Sequence, residues 1–129
     1  MAGTCSFEVD RARGVVRTVL SGFFDLEDVA RYARERNVAI RKLGCLPNRH
    51  LTLIDATTCQ LSTPDVVAAL QGVIGEPGYR SLRCAMVVPG ALAKMQARRA
   101  VQRSDVGMFD TLEEAERWLL SDSADRVAA

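Results

Sequence analysis

Several features that mark common classes of functional site are missing from this sequence of 129 residues. It contains one histidine, His50, and four cysteines with no CxxC pair, so neither a zinc site nor a thioredoxin-like dithiol is predicted. The phosphate-binding patterns GxxxxGK and GxGxxG do not occur, so nothing favours a nucleotide site. We therefore expect neither a metal ion nor a cofactor.

Long apolar runs and a secretory leader are also missing. No apolar run approaches the roughly 18 residues that a membrane span requires, and the opening residues MAGTCSFEVD lack the basic and apolar segments of a signal peptide. We therefore expect a cytoplasmic protein with reduced cysteines. The formal net charge of +1 provides no general attraction to nucleic acid, and no nucleic-acid partner is expected.

The composition is that of an ordinary globular domain, with 48% hydrophobic and 26% charged residues. The length suffices for one hydrophobic core but not for two. We predict a single domain over residues 1–120, followed by a small, polar and frayed tail at 121–129. The oligomeric state is left open by the sequence.

Hydrophobic periodicity, helix caps and turn residues predict the element order ββαβαβαβα. The predicted strands lie near 7–9, 15–21, 50–55, 83–88 and 106–109, and the predicted helices near 25–44, 63–74, 91–104 and 111–119. Gly22 is expected to break the second strand, and residues 56–62 are expected to form a loop. Consecutive βαβ units predict an α/β fold with a mixed, mostly parallel five-stranded sheet and helices on its faces.

The apolar face of the first predicted helix is formed by Leu26, Val29, Ala33, Ile40 and Leu43, and one charged residue, Arg36, falls on it. We expect its stem to pass the edge of the core so that the guanidinium reaches solvent. The alternative is an ion pair near a functional site.

Polar residues gather where the predicted parallel strands end, which is where open α/β sheets place their sites. Two interpretations of this region stay open. Thr63 or Ser62 could be a phosphoacceptor or an anion-contacting hydroxyl at the start of a helix, or Thr63 could simply cap that helix while Asp55 orders the loop. The other candidate partner-binding residues at these strand ends are Asp25, Thr57, Thr58, Pro89, Gly90 and Lys94.

The predicted helix at 91–104 carries a basic surface formed by Lys94, Arg98, Arg99 and Arg103, with Leu92 and Met95 between them. Such a surface could bind an acidic partner or anionic lipid. The alternative is a charged face that is merely solvated.

Four segments of the chain resemble the bacterial SpoIIAA-like family, which is a divergent branch of the STAS domains. These segments are GFFDLEDVARYA, HLTLIDATTCQLSTPDVV, RCAMVVPGALAKMQARR and GMFDTLEEAERWL, and together they cover most of the chain. The resemblance implies a non-enzymatic regulatory module that binds a protein partner through the loop after the third strand and is tuned by phosphorylation. Anti-sigma factor antagonists carry a DSSG-type phosphosite at this place, whereas this chain has STPD without the glycine, so only Thr63 and Ser62 carry over.

The SpoIIAA-like family is also similar to the lipid-binding CRAL-TRIO fold. This similarity implies an alternative function, in which the chain binds a small lipid or apolar ligand or acts as a peripheral module at a membrane surface. A thiol-dependent enzyme that uses Cys59 is a further alternative. No catalytic triad is visible in the sequence, and we expect a protein that is not an enzyme.

Overall fold

The computed structural model describes residues 2–45, 48–61, 63–88, 90–91, 94–95, 98 and 105–121. In chain order, the strands are β1 (Thr4–Asp10), β2 (Val15–Phe24), β3 (Leu51–Leu61), β4 (Arg83–Val87) and β5 (Val106–Phe109). The helices are α1 (Leu26–Leu43), α2 (Pro64–Ile74) and α3 (Leu112–Leu120). Between β4 and β5, residues 90–91, 94–95 and 98 are also helical.

The five strands form one sheet in the order β1-β2-β3-β4-β5. Strand β1 is antiparallel to β2, and all other neighbours are parallel. The predicted α/β fold with a mixed, mostly parallel sheet is therefore confirmed. Each strand is paired with the strand that precedes it in the chain.

The two faces of the sheet carry different hydrophobic clusters. Helices α1 and α2 bury Tyr32 and Leu70 against side chains of β2 and β3 such as Leu20 and Ile54. Helix α3 buries Ala115 and Leu119 on the opposite face, against residues that include Leu53 and Val87. This division follows from topology, because right-handed connections that all move in one direction across a sheet place their helices on the same side.

Cap residues begin and end α1 as the sequence indicates. Asp25 accepts a hydrogen bond from the Asp28 backbone amide, and the Asp28 carboxylate accepts one from the Asp25 amide, which is a reciprocal capping box. Gly44 closes the helix in the left-handed conformation at φ 78°. These contacts position the start of α1 directly after β2.

Two strands extend further than predicted. Strand β2 continues to Phe24, and β3 continues to Leu61, so the expected break at Gly22 and the expected loop at 56–62 are wrong for the described residues. Gly22 stays in the strand at φ 86°, and a β-carbon there would lie 2.5 Å from the Ala2 carbonyl oxygen. A glycine is therefore required for the close approach of the N-terminal residues and does not end the strand.

Arg36 is buried instead of reaching solvent, so that expectation is wrong. Its side chain donates to the Val73 carbonyl oxygen at the end of α2, and its Nη2 lies 3.1 Å from Glu76 Oε2. The guanidinium also lies 5.4 Å from the centre of the Tyr79 ring. This ion pair joins α1 to the end of α2, at the opposite end of the sheet from the carboxyl ends of the parallel strands.

Candidate functional site

The carboxyl ends of β2 and β3 lie side by side and project beyond β4 and β5. Phe23 is opposite Gln60, and Ser21 is opposite Thr58. The last pair between β3 and β4 joins Asp55 to Val87, so β3 continues for six residues after β4 has ended. We use the name rim surface for the exposed residues at this projecting end, which are Phe23, Asp25, Leu26, Thr58, Gln60 and Thr63.

Two large apolar side chains are exposed on the rim surface. Phe23 is 49% exposed and Leu26 is 53% exposed. The sequence-based interpretation missed both residues, since it placed Leu26 on the buried face of the first helix and ended the second strand before Phe23. The signal that could have revealed Phe23 is strand alternation, because the neighbouring Phe24 is fully buried and successive side chains point to opposite faces.

Thr63 occupies the N-cap position of α2, as predicted, but its side chain makes no capping hydrogen bond. Its backbone carbonyl accepts hydrogen bonds from the amides of Val66 and Val67, and the residue as a whole is exposed. The Thr63 hydroxyl is therefore not engaged in capping and faces solvent at the positive end of an 11-residue helix. Ser62 lies outside the described residues.

Asp55 orders the point at which β2 and β3 shift register. Val19 is opposite Asp55 and Ser21 is opposite Thr58, so β3 contains one more residue than β2 in this interval, which is a β-bulge. Asp55 Oδ1 accepts hydrogen bonds from the Thr57 amide at 3.1 Å and from Thr57 Oγ1 at 2.8 Å. Beyond the bulge, Thr58 Oγ1 donates to Ser21 Oγ at 2.9 Å, which links the two projecting strands.

Comparisons with known proteins show the fold through solved structures, since no protein-family model and no curated protein matches the chain. An uncharacterized DUF3478-family protein from Shewanella loihica PV-4, which has a SpoIIAA-like fold, aligns with a TM-score of 0.67 at 17% identity, over 92% of this chain and 94% of that chain. This chain has the SpoIIAA-like fold. An anti-sigma factor antagonist from Mycobacterium paratuberculosis also aligns, with a TM-score of 0.58 at 14% identity over 90% and 94% of the two chains.

Three of the candidate residues after β4, namely Gly90, Lys94 and Arg98, lie within the described part of this SpoIIAA-like fold. Lys94 Nζ lies 2.7 Å from Asp110 Oδ1, so Lys94 is paired at the end of β5. Gly90 and Arg98 are exposed, and Met95 is 48% exposed. Pro89, Arg99 and Arg103 lie outside the described residues, so the predicted basic surface is described only at Lys94 and Arg98.

Cys59, which lies near the end of β3, has the wrong properties for a nucleophile. Its side chain is partly buried against the α1–α2 side of the core, and this burial raises the pKa of its thiol to about 11. The thiol therefore stays protonated at neutral pH, whereas nucleophilic cysteines need a lowered pKa. Within the described part of the chain, no three His, Cys, Asp or Glu side chains come together in a way that could hold a metal ion.

An open groove of about 360 Å³ lies on the α3 side of the sheet. Its lining includes Glu8, Arg17, Val19, Asp55, Leu112 and Glu116. Four of its ten described lining residues are ionisable and stand beside apolar residues such as Phe7 and Leu53, so the lining suits an amphipathic occupant. No helix among the described residues is long and apolar enough to cross a membrane.

Proposed function

We propose that this chain is a non-enzymatic regulatory module that binds a protein partner through the rim surface, and that phosphorylation of Thr63 controls this binding. The observation that carries the proposal is the exposure of Phe23 and Leu26 at the same projecting end of the sheet as a Thr63 side chain that makes no capping bond. The fold shared with an anti-sigma factor antagonist supports a role in regulation by protein binding.

Phe23 and Leu26 support the binding part of the proposal. Aromatic and large aliphatic side chains are the usual anchors of protein interfaces, where polar residues surround them. Thr58, Gln60 and Asp25 provide such polar surroundings and are all exposed. The capping box of α1 and the β2–β3 pairing hold these residues on rigid elements, so little order has to be gained when a partner binds.

The position of Thr63 supports the regulatory part. A phosphate on its hydroxyl would add about −1.5 to −2 charges at pH 7 and would be stabilised by the positive end of the α2 dipole. The same charge would change the electrostatics of the rim surface, which already carries Asp25 and lies next to the exposed Asp65. A partner that binds the unmodified surface would then bind it with a different affinity.

The proposal is tested by capturing partners from the native cell with the full chain and identifying them by mass spectrometry. We expect a specific partner to be captured by the wild type and lost with the Phe23→Ser/Leu26→Ser double variant. Val38→Ser is the matched control, because Val38 is 42% exposed on α1 and lies outside the rim surface. A partner that binds the double variant as well as the wild type would refute binding through the rim surface.

Phosphorylation is tested separately on protein purified from the native cell. We expect a phosphopeptide with the modification on Thr63, and fragmentation distinguishes Thr63 from Ser62. Thr63→Glu should change capture of the partner by about tenfold while Thr63→Ala retains the unmodified behaviour. If no phosphopeptide is found and the two variants capture the partner equally, regulation at Thr63 is wrong, although binding through the rim surface can still hold.

A further inference from the structure

The elements that the structure describes cover the two faces of the sheet to different extents. Helices α1 and α2 lie on one face, and α3 is the helix described on the other. The nine residues of α3 give it a length of about 13 Å. Five strands span about 19 Å between the outer strand axes, whereas a packed helix is about 10 Å wide. Helix α3 packs on β3 and β4 through Ala115 and Leu119 and reaches β2 only at its start, at Val15 and Arg17. No described element covers the same face of β1 and of the later part of β2.

The groove beside α3 is the edge of this uncovered region, and it has apolar side chains on both sides. Val19 of β2 and Leu112 of α3 line it, and each is 46% exposed. Leu53 lies at its base and is almost fully buried. Leu112 and Glu116 are one helical turn apart on α3, so the groove follows the side of that helix.

The charged groups around the groove are mostly acidic. Arg17 Nη2 lies 3.1 Å from both Asp10 Oδ2 and Glu116 Oε1, and Arg17 Nε lies 3.8 Å from Glu8 Oε1. Arg13 is also paired with Glu116, at 3.3 Å. The described residues around the groove therefore supply four carboxylates and two guanidinium groups, which leaves an excess of two negative charges. The carboxylates are those of Glu8, Asp10, Asp55 and Glu116, and the guanidinium groups are those of Arg13 and Arg17.

We propose that an amphipathic helix of a partner protein, with basic residues beside its apolar stripe, docks in this groove alongside α3. Its apolar stripe contacts Val19 and Leu112, and its lysine or arginine side chains approach Glu8, Asp55 and Glu116. Both the space beside α3 that no described element fills and the acidic excess fit this occupant, because packed helices lie 8–10 Å apart and opposite charges favour association. The groove lies on the same face of β2 as Phe23, because Val19 and Phe23 alternate with the buried Leu20 and Phe24, but the proposal does not depend on the function proposed for the rim surface.

The test uses the full chain and two synthetic peptides of about 14 residues. Both carry the same leucine stripe, but one has lysine and the other glutamate on its polar face. We expect the lysine peptide to bind in isothermal titration calorimetry at low salt, and to shift the NMR signals of Val19 and Leu112. The glutamate peptide should bind at least about tenfold more weakly.

Matched variants locate the interaction. Glu8→Lys and Glu113→Lys make the same charge change at side chains that are 76% and 84% exposed, but only Glu8 lines the groove. We expect Glu8→Lys to weaken the lysine peptide by about tenfold and Glu113→Lys to leave its affinity close to that of the wild type. Val19→Ser/Leu112→Ser should also weaken binding, whereas Val38→Ser on α1, which does not line the groove, should not.

Several outcomes would overturn the proposal. Equal effects of Glu8→Lys and Glu113→Lys would mean that the peptide responds only to overall charge. Sedimentation experiments could show that the chain associates with itself as its concentration rises. If Val19→Ser/Leu112→Ser abolished this self-association, the groove would be assigned to a second copy of this chain. Spermidine that shifts the same NMR signals and displaces the lysine peptide would assign it to a small organic cation.

Discussion

His50 is a buried histidine for which the described part of the structure offers neither ring nitrogen a hydrogen-bond partner. It is 1% exposed and immediately precedes β3. Burial, together with the nearby positive charge of Arg36, lowers its pKa from 6.5 to about 4. The folded protein therefore holds this imidazole neutral over a pH range in which the unfolded chain protonates it.

We predict a loss of stability in mild acid that originates at His50. Above about pH 7.5 the residue is neutral in both states and contributes no pH dependence. As the pH falls from 6.5 towards 4, the unfolded state binds the proton first, so the free energy of unfolding decreases by about 2 kcal/mol by pH 5. Urea denaturation of the wild type between pH 7.5 and 4.5 measures this decrease.

The variant His50→Leu provides the comparison, because His50 is the only histidine in the chain. Leucine has a similar volume and leaves no buried nitrogen without a partner, so stability at pH 7.5 should stay within about 1.5 kcal/mol of the wild type. The difference in unfolding free energy between variant and wild type should grow as the pH falls from 6.5 to 5. A difference that stays constant over this range would contradict the low pKa of His50.

Individual site residues differed in how far the sequence could predict them. The TPD pattern correctly places Thr63 at the start of α2, because proline and aspartate favour the first turn of a helix. Whether the Thr63 hydroxyl makes a capping bond depends on local backbone geometry, which the pattern does not contain. The exposure of Phe23 and Leu26 depends on which faces the other elements cover, so single-residue hydrophobicity predicted the opposite for Leu26.

At the scale of the elements, the projecting end of β3 depends on the bulge at Asp55. The Asp55 carboxylate satisfies the Thr57 amide and hydroxyl where the β2–β3 register shifts. We predict that Asp55→Ala lowers the unfolding free energy by about 1 kcal/mol and speeds amide hydrogen exchange at Thr57 and Thr58. Asp55→Asn retains Oδ1 as an acceptor and should behave nearly as the wild type.

Hydrogen-exchange mass spectrometry of both variants checks this prediction. Faster exchange confined to the residues after Asp55 is expected for Asp55→Ala, since β3 no longer pairs with β4 beyond this point. If the exchange of the peptide covering residues 56–61 is unchanged in Asp55→Ala, the carboxylate does not hold the bulge in place.

The lengths of β2 and β3 could not be predicted from local sequence for a physical reason. Glycine usually interrupts a strand, and Gly22 was interpreted in that way. Here the missing side chain of Gly22 instead leaves space for the Ala2 carbonyl oxygen, and Ala2 forms an isolated β-bridge with Phe23. This contact joins residues that are far apart in the chain, and the Arg36–Glu76 ion pair does the same. The periodicity of α1 does not identify Glu76 as the partner of Arg36.

At the scale of the whole molecule, the core on the α3 side and the core on the α1–α2 side share the central strands. Leu53 and Ile54 are neighbours in β3 but belong to opposite clusters. The alternation and cap signals were sufficient to predict this α/β layout, because they act within single elements and the right-handed connection rule then arranges those elements. The same rule places the connecting helices α1 and α2 on one face, whereas α3 follows the last strand and packs on the other face.

We predict that the shared strands make unfolding a single cooperative transition. Trp118, the only tryptophan, packs against Phe109 and beneath the Arg83 guanidinium, so its fluorescence reports on the α3 side. Urea transitions followed by this fluorescence and by far-UV circular dichroism should have the same midpoint. Leu119→Ala should lower stability by about 2–5 kcal/mol and shift both signals together.

Leu112→Ala is the matched control, because Leu112 is also on α3 but is 46% exposed. It should leave both midpoints almost unchanged. A Leu119→Ala variant in which only the fluorescence transition moves would mean that α3 unfolds independently of the rest of the molecule.

The strand order β1-β2-β3-β4-β5 also has a consequence for synthesis on the ribosome. Because each strand pairs with the one made just before it, every new strand emerges when its partner is already available. The sheet can therefore grow by one strand at a time in the direction of translation, and each step closes only the segment between two consecutive strands. No strand has to wait, unpaired and open to aggregation, for a distant partner that has yet to be made.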